Sequence, residues 1–96
     1  MVVVAKIKVK SGEEEKVEKA LTEMVSKVAD EEGTLVYTLH RSMSDPKTFL
    51  FYEKYTDADA LTYHSSTPYF KALFDELGSC FDGKPEIEMY TELAGI

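Results

Sequence analysis

Along residues 2 to 9, Val3, Ala5, Ile7 and Val9 alternate with Val2, Val4, Lys6 and Lys8. A period of two puts the first set on a fully buried sheet face, so a strand is expected here. From residue 13 the spacing changes to three and four, with Val17, Ala20, Leu21, Met24, Val25 and Val28 in one stripe. This predicts an amphipathic helix running to about residue 31. At its start, Ser11-Gly12-Glu13-Glu14 has the form of a capping box: the Ser hydroxyl accepts from an orphan amide while Glu14 reaches back. At its end, Gly33 offers a left-handed stop.

Thr34 to Ser42 and Thr48 to Tyr55 are rich in β-branched and aromatic residues. Asp45-Pro46 between them is turn chemistry, so the two segments are expected to pair as a hairpin. Asp57 then suits the N-cap of a helix carrying Ala58, Ala60, Leu61 and His64. That pattern breaks within Tyr63-His64-Ser65-Ser66-Thr67-Pro68-Tyr69-Phe70. Ser66 or Thr67 suits a new N-cap and Pro68 a first helical position, which predicts a second helical piece from Tyr69 to Leu77, ended by Gly78. Residues 78–84 read as a loop. Glu86 to Leu93 reads as a last strand, with Ile87 and Met89 alternating with Glu86 and Glu88.

The order strand, helix, strand, strand, helix, strand in 96 residues is most economically one domain over residues 1–96. The expected class is α+β: a ferredoxin-like βαββαβ sandwich with an antiparallel four-stranded sheet and the helices on one face. Leu35, Tyr37 and Leu39 fall on one side of the hairpin and Val36 on the other, while Phe49, Phe51 and Tyr55 oppose Leu50 and Tyr52. Both faces are substantially apolar, so the face without helices is expected to be covered by a second copy, sheet to sheet, in a homodimer.

Composition narrows the partners. A formal net charge of −7 disfavours nucleic acid and anionic membrane surfaces. Lys6, Lys8 and Lys10 interrupt the only apolar opening, which leaves neither a signal-peptide core nor a membrane span, so a cytoplasmic protein is expected. Cys80 is the lone cysteine and reads as a partly buried apolar residue beside Phe81. Trp, Asn and Gln are absent, and Arg41 is the one arginine.

Among chemistry-bearing residues, His64 stands out because imidazole titrates near neutral pH and here sits at a helix joint. It reads either as a general base or as a capping residue. His40, beside Arg41 on a strand, reads as solvated or interfacial. Glu53 interrupts the apolar face of Phe49, Phe51 and Tyr55, so its carboxylate is either partnered or left at a cavity that admits water. If Leu39 lies opposite Phe51, then Tyr37 lies opposite Glu53 and the two are within reach of a hydrogen bond. The acidic runs at residues 13–15 and 30–32 read as solvated helix ends. No phosphate loop, metal-spaced His/Cys cluster or nucleophile elbow is present, and no metal site is expected.

Taken in order, Glu32 to Arg41, Asp45-Pro46, Phe49 to Tyr55 and His64 to Lys71 resemble the antibiotic biosynthesis monooxygenase family, and the likeness extends over residues 1 to 92. Its strongest parts are the Gly33-x-Leu35-x-Tyr37-x-Leu39 strand, the Tyr52-Glu53 pair before an aromatic, and His64 six residues ahead of Phe70. The resemblance implies a dimeric α/β barrel of ferredoxin-like halves. It also implies a pocket between sheet and helices, where some members oxygenate quinols or aromatic polyketides without metal, flavin or other cofactor. Haem-degrading relatives use a first-strand Asn, a Trp on the second helix and a His one turn beyond the Phe. Here the last two positions correspond to His64 and Phe74, which implies that haem is not the substrate.

The expectation is therefore a cofactor-independent monooxygenase acting with dioxygen on a small quinol or phenol. In it His64 is the base, Tyr37 and Glu53 orient the ring, and Phe70 shapes the pocket. The alternatives are an isomerase of a small carbonyl compound or sugar phosphate, and a non-catalytic ligand-binding dimer.

Overall fold

A computed structural model describes residues 1–96. Its elements are β1 (Val2–Lys8), α1 (Glu14–Val28), β2 (Thr34–Arg41), β3 (Thr48–Tyr55), α2 (Ala58–Ser66), α3 (Pro68–Leu77), a 3-10 turn (Gly78–Cys80) and β4 (Glu86–Tyr90). The strands form one antiparallel sheet in the order β2-β3-β1-β4, with the helices on one face. This is the ferredoxin-like α+β arrangement that the alternation of periods predicts. No helix is long and apolar enough to cross a membrane.

The odd-numbered residues of β1 set the core. Ala5 and Ile7 are buried against Phe51 and Phe49 of β3, and Val17 and Leu21 of α1 close over them with Leu77, Cys80 and Phe81. Leu39 lies opposite Phe51 and Tyr37 opposite Glu53, the register expected from the hairpin pattern. Leu35 departs from it. A register shift between Thr34 and Val36 leaves this residue unpaired and 57% exposed rather than on the inward face with Tyr37.

Three local expectations are corrected. Ser11 does not cap α1: Gly12 turns the chain at φ 91°, Glu13 takes the N-cap position without a side-chain bond, and the Ser11 hydroxyl accepts from Lys47 Nζ. The helix ends at Val28, short of residue 31, and Gly33 is not left-handed. Glycine is required at 33 for another reason: a Cβ there would lie 2.5 Å from Cβ of Ala60. The last strand stops at Tyr90, before Leu93.

The joint between α2 and α3 follows from one missing donor. A continuous helix would send the amide of residue 68 to the carbonyl of His64, and Pro68 has no N–H. Thr67, in extended geometry, replaces that bond with its amide (3.3 Å) and its hydroxyl (2.9 Å) to His64 O. The same hydroxyl accepts from the Phe70 amide and starts α3. His64 thus lies in the last turn of one helix and Phe70 in the first turn of the next.

Because Ala60 has no rotamer with which to yield, Gly33→Ala should push α2 off the sheet and destabilise the fold by about 1–3 kcal/mol. Urea unfolding monitored by circular dichroism measures it, and an unchanged midpoint would contradict the close approach.

Candidate functional site

The joint and the sheet together enclose a cavity of about 190 Å³. Ala5, Phe51 and Glu53 form part of its sheet side, His64, Phe70 and Phe74 its helical side, and Ile87 and Met89 its border on β4. Ile87 and Met89 are 57% and 61% exposed, so this apolar border faces solvent. Tyr37, Glu53, His64 and Phe70, all singled out from sequence, line this one space.

His64 lies in the last turn of α2 and is 2% exposed. Its Nδ1 is 3.1 Å from each carboxylate oxygen of Glu31. The ring is held by aromatic edges: Tyr37 and Phe70 each have centroids at 5.1 Å, and Tyr55 at 5.8 Å. With an ionised carboxylate, which accepts and does not donate, the hydrogen of this bond lies on Nδ1, and in the neutral ring the lone pair is then on Nε2. Nε2 takes part in none of the protein's side-chain hydrogen bonds, and His64 is part of the cavity wall.

Glu31 is the residue that the sequence reading misplaces. Instead of being a solvated helix end, it is 6% exposed in the connection from α1 to β2. It accepts from the hydroxyl of Thr34 at 3.3 Å and from the hydroxyl of Tyr69 on α3, besides Nδ1 of His64. Burial and then the bond to Glu31 push the Tyr69 phenol up to about 12, so it remains a donor at neutral pH. Nothing in the local run Asp30-Glu31-Glu32 separates its middle member, because its partners arrive from 3, 33 and 38 residues away.

Glu53 is buried, but its partner is not Tyr37. The hydroxyl of Tyr55, two residues along the same strand face, donates to Glu53, while Tyr37 stacks on Phe51 with centroids at 4.7 Å. Register alone places Tyr37 opposite Glu53; the stacking directs its hydroxyl elsewhere. Burial raises the Glu53 carboxyl above its ordinary value, and the Tyr55 hydrogen bond and the nearby His64 only partly oppose this. Burial likewise raises the Tyr37 phenol, with Glu53 and Glu31 adding to the effect. Arg41 is committed elsewhere, paired with Glu18 at 3.1 Å and lying over the Phe49 ring. His40 is exposed beside Thr38 and stands apart from the site.

A one-sided α+β sandwich with a histidine in the wall of an aromatic cavity defines a class of small ferredoxin-like domains, and relatives narrow it. The model of the antibiotic biosynthesis monooxygenase family matches residues 1–76, and the chain belongs to this family. It is similar to the crystal structure of a candidate antibiotic biosynthesis monooxygenase from Caulobacter crescentus, with 39% identity, 91% of this chain and 83% of that one covered, and a TM-score of 0.86. A Pseudomonas aeruginosa structure shares 27% identity over 97% of this chain and 93% of its own, with a TM-score of 0.91. An uncharacterised protein of Synechocystis sp. is 28% identical over 94% of this chain, which spans 61% of that protein's length.

The raised carboxyl of Glu53 has a measurable sign. Between its ordinary value of 4.5 and its folded value the native state binds the proton more tightly than the unfolded chain, so this group's contribution to stability falls as pH rises through that window. Glu53→Gln, which keeps an acceptor for Tyr55, should therefore gain thermal stability relative to the unsubstituted protein on going from about pH 5 to about pH 8. A melting-temperature difference that does not grow with pH would contradict the burial of an ionisable group here.

Proposed function

We propose that the protein is a cytoplasmic, cofactor-independent monooxygenase of small quinols or phenols, working as a homodimer. The observation that carries this reading is His64, hydrogen-bonded through Nδ1 alone, in the wall of a cavity shared with Phe51, Phe70 and Phe74. A base in an apolar, water-poor space is what a phenol needs to become an electron-rich phenolate there. The volume suits the reading too. Cavities of about 150 Å³ hold benzene, so about 190 Å³ fits one aromatic ring with substituents.

In this mechanism Nε2 takes the phenolic proton and the phenolate passes one electron to dioxygen. The radical pair joins at a ring carbon, forming a C–O bond and a peroxide. Loss of the ring proton at that carbon breaks the O–O bond and expels hydroxide, which His64 protonates to water. One oxygen atom enters the product quinone and the other leaves as water, so the four electrons lost by the substrate match those gained by dioxygen. Glu53 and Tyr37 orient the polar end of the ring, and Phe70 packs against its face. Phe74, at the position of the family's haem ligand, brings only a hydrocarbon ring. No Lys or Arg lines the cavity, which disfavours a phosphorylated substrate of an isomerase.

Oxygen uptake with a panel of hydroquinones should be enzyme-dependent, and His64→Ala should lower it by about a hundredfold or more while the fold is retained. Phe70→Ala should instead mainly raise KM. An active enzyme indifferent to His64→Ala would reduce the imidazole to a capping role.

The dimer reading rests on the sheet face without helices. Val4, Leu50 and Tyr52 make a half-buried apolar strip there, with Lys6 and Lys8 on β1 and Glu86 and Glu88 on β4. A two-fold pairing of that face can set the lysines of one copy against the glutamates of the other. Such an interface should exceed about 1,000 Å² and persist at micromolar concentration. Sedimentation equilibrium that finds monomer alone would overturn it.

A further inference from the structure

Behind His64, on the side away from the cavity, lies a second and more open space of about 370 Å³, lined by Asp30, Glu31, Glu32, Thr34, Ala60 and Tyr63 among others. His64 lines the cavity and not this cleft; Glu31 lines the cleft and not the cavity. The hydrogen-bonded pair is therefore the partition between the two. We propose that Glu31 is the positioning residue of the site, holding the hydrogen on His64 Nδ1 so that the lone pair of the neutral ring is on Nε2, and sharing that hydrogen while Nε2 is loaded. The proposal rests on the reading of His64 as base.

The chemistry follows from the atoms already placed. When Nε2 gains a proton from the substrate, the imidazolium forms against a carboxylate at 3.1 Å, where charge pairing lowers its cost in a buried setting. The Nδ1 proton can shift along the existing hydrogen bond to Glu31 and back, so that when Nε2 gives its proton to the departing hydroxide the ring is left neutral with its hydrogen on Nδ1, with no change of redox state. Thr34 and Tyr69 fix the carboxylate in place. Tyr37 from β2 and Glu53 and Tyr55 from β3 are the other titratable groups around the ring. Tyr37 and Tyr55, whose phenols burial drives up, remain neutral through the physiological range.

Nitrogen-15 NMR of histidine-labelled protein tests this without any turnover, the His64 signals being those that vanish in His64→Ala. The neutral ring should carry its proton on Nδ1. Glu31→Ala should abolish that bias, and formate, which is small enough to enter from the open cleft, should restore it saturably. Oxygen uptake should fall by about a hundredfold in Glu31→Ala and recover with the same formate dependence. If Glu31→Ala does not fold, Glu31→Met, of similar length but with no oxygen to accept from Nδ1, should lose the bias without rescue. A ring protonated on Nε2 in the unsubstituted protein, a bias indifferent to Glu31, or a folded Glu31→Ala protein that formate does not rescue would each overturn the proposal. An intact formate-dependent NMR signature with no oxygen uptake from any quinol would instead fault the substrate reading and leave the positioning role of Glu31 standing.

Discussion

Withdrawing an imidazole and a carboxylate from water together is the constraint around which the rest of the site is arranged. Each loses hydration worth several kcal/mol, and only close, well-satisfied pairing offsets it. His64 and Glu31 meet that requirement, with Nδ1 equidistant from both oxygens and two hydroxyls completing the carboxylate's shell. The pairing dictates backbone. Glu31 can reach α2 only if the chain entering β2 runs against that helix, which Gly33 allows by presenting no Cβ to Ala60 and by accepting the Thr56 amide at 3.0 Å. Pro68 and Thr67 then end α2 directly after His64, so that Phe70 can turn back onto its ring.

Much of this was legible along the chain, and the division has a physical basis. Periodicity reports which face of an element is buried, so the odd positions of β1 and the stripe of α1 could be read directly, and Tyr37 opposite Glu53 followed for one hairpin register, the one observed. Turn chemistry reports local geometry, so Asp57 was found as a cap and Thr67 as one of two candidates with Ser66. Ser11 failed because the same tetrapeptide also fits a glycine turn, and Lys47, distant in sequence, takes the hydroxyl. Glu31 and the Glu53 partner failed for a related reason. Which acceptor a buried donor finds depends on packing in three dimensions, and Tyr55 is as plausible a neighbour in sequence as Tyr37 is across the sheet.

Membership of a family fixes the scaffold more firmly than the chemistry, because a cavity between sheet and helices can be refitted by a few side chains. In this chain the refitting is aromatic. Tyr37, His64, Phe70, Phe74 and Phe81 run as a continuous series of ring contacts between 4.7 and 5.8 Å. Four of these rings, Tyr37, His64, Phe70 and Phe74, line the cavity, while the sole arginine is tied to the glutamates of α1.

The sheet order carries a consequence for biosynthesis. β1 lies between β3 and β4, pairing Ala5 with Phe51 on one side and with Ile87 on the other. It leaves the ribosome before either neighbour, so a valine-rich segment must wait with one hydrogen-bonding edge open until β3 has been made and the other until β4 has been made. Long-range pairing of this kind is slow, and an unpaired apolar edge invites association between nascent chains. Lys6 and Lys8, alternating with the buried Ala5, Ile7 and Val9, therefore act during translation as much as in the finished sheet: they keep the waiting strand soluble at the one stage when it has no partner.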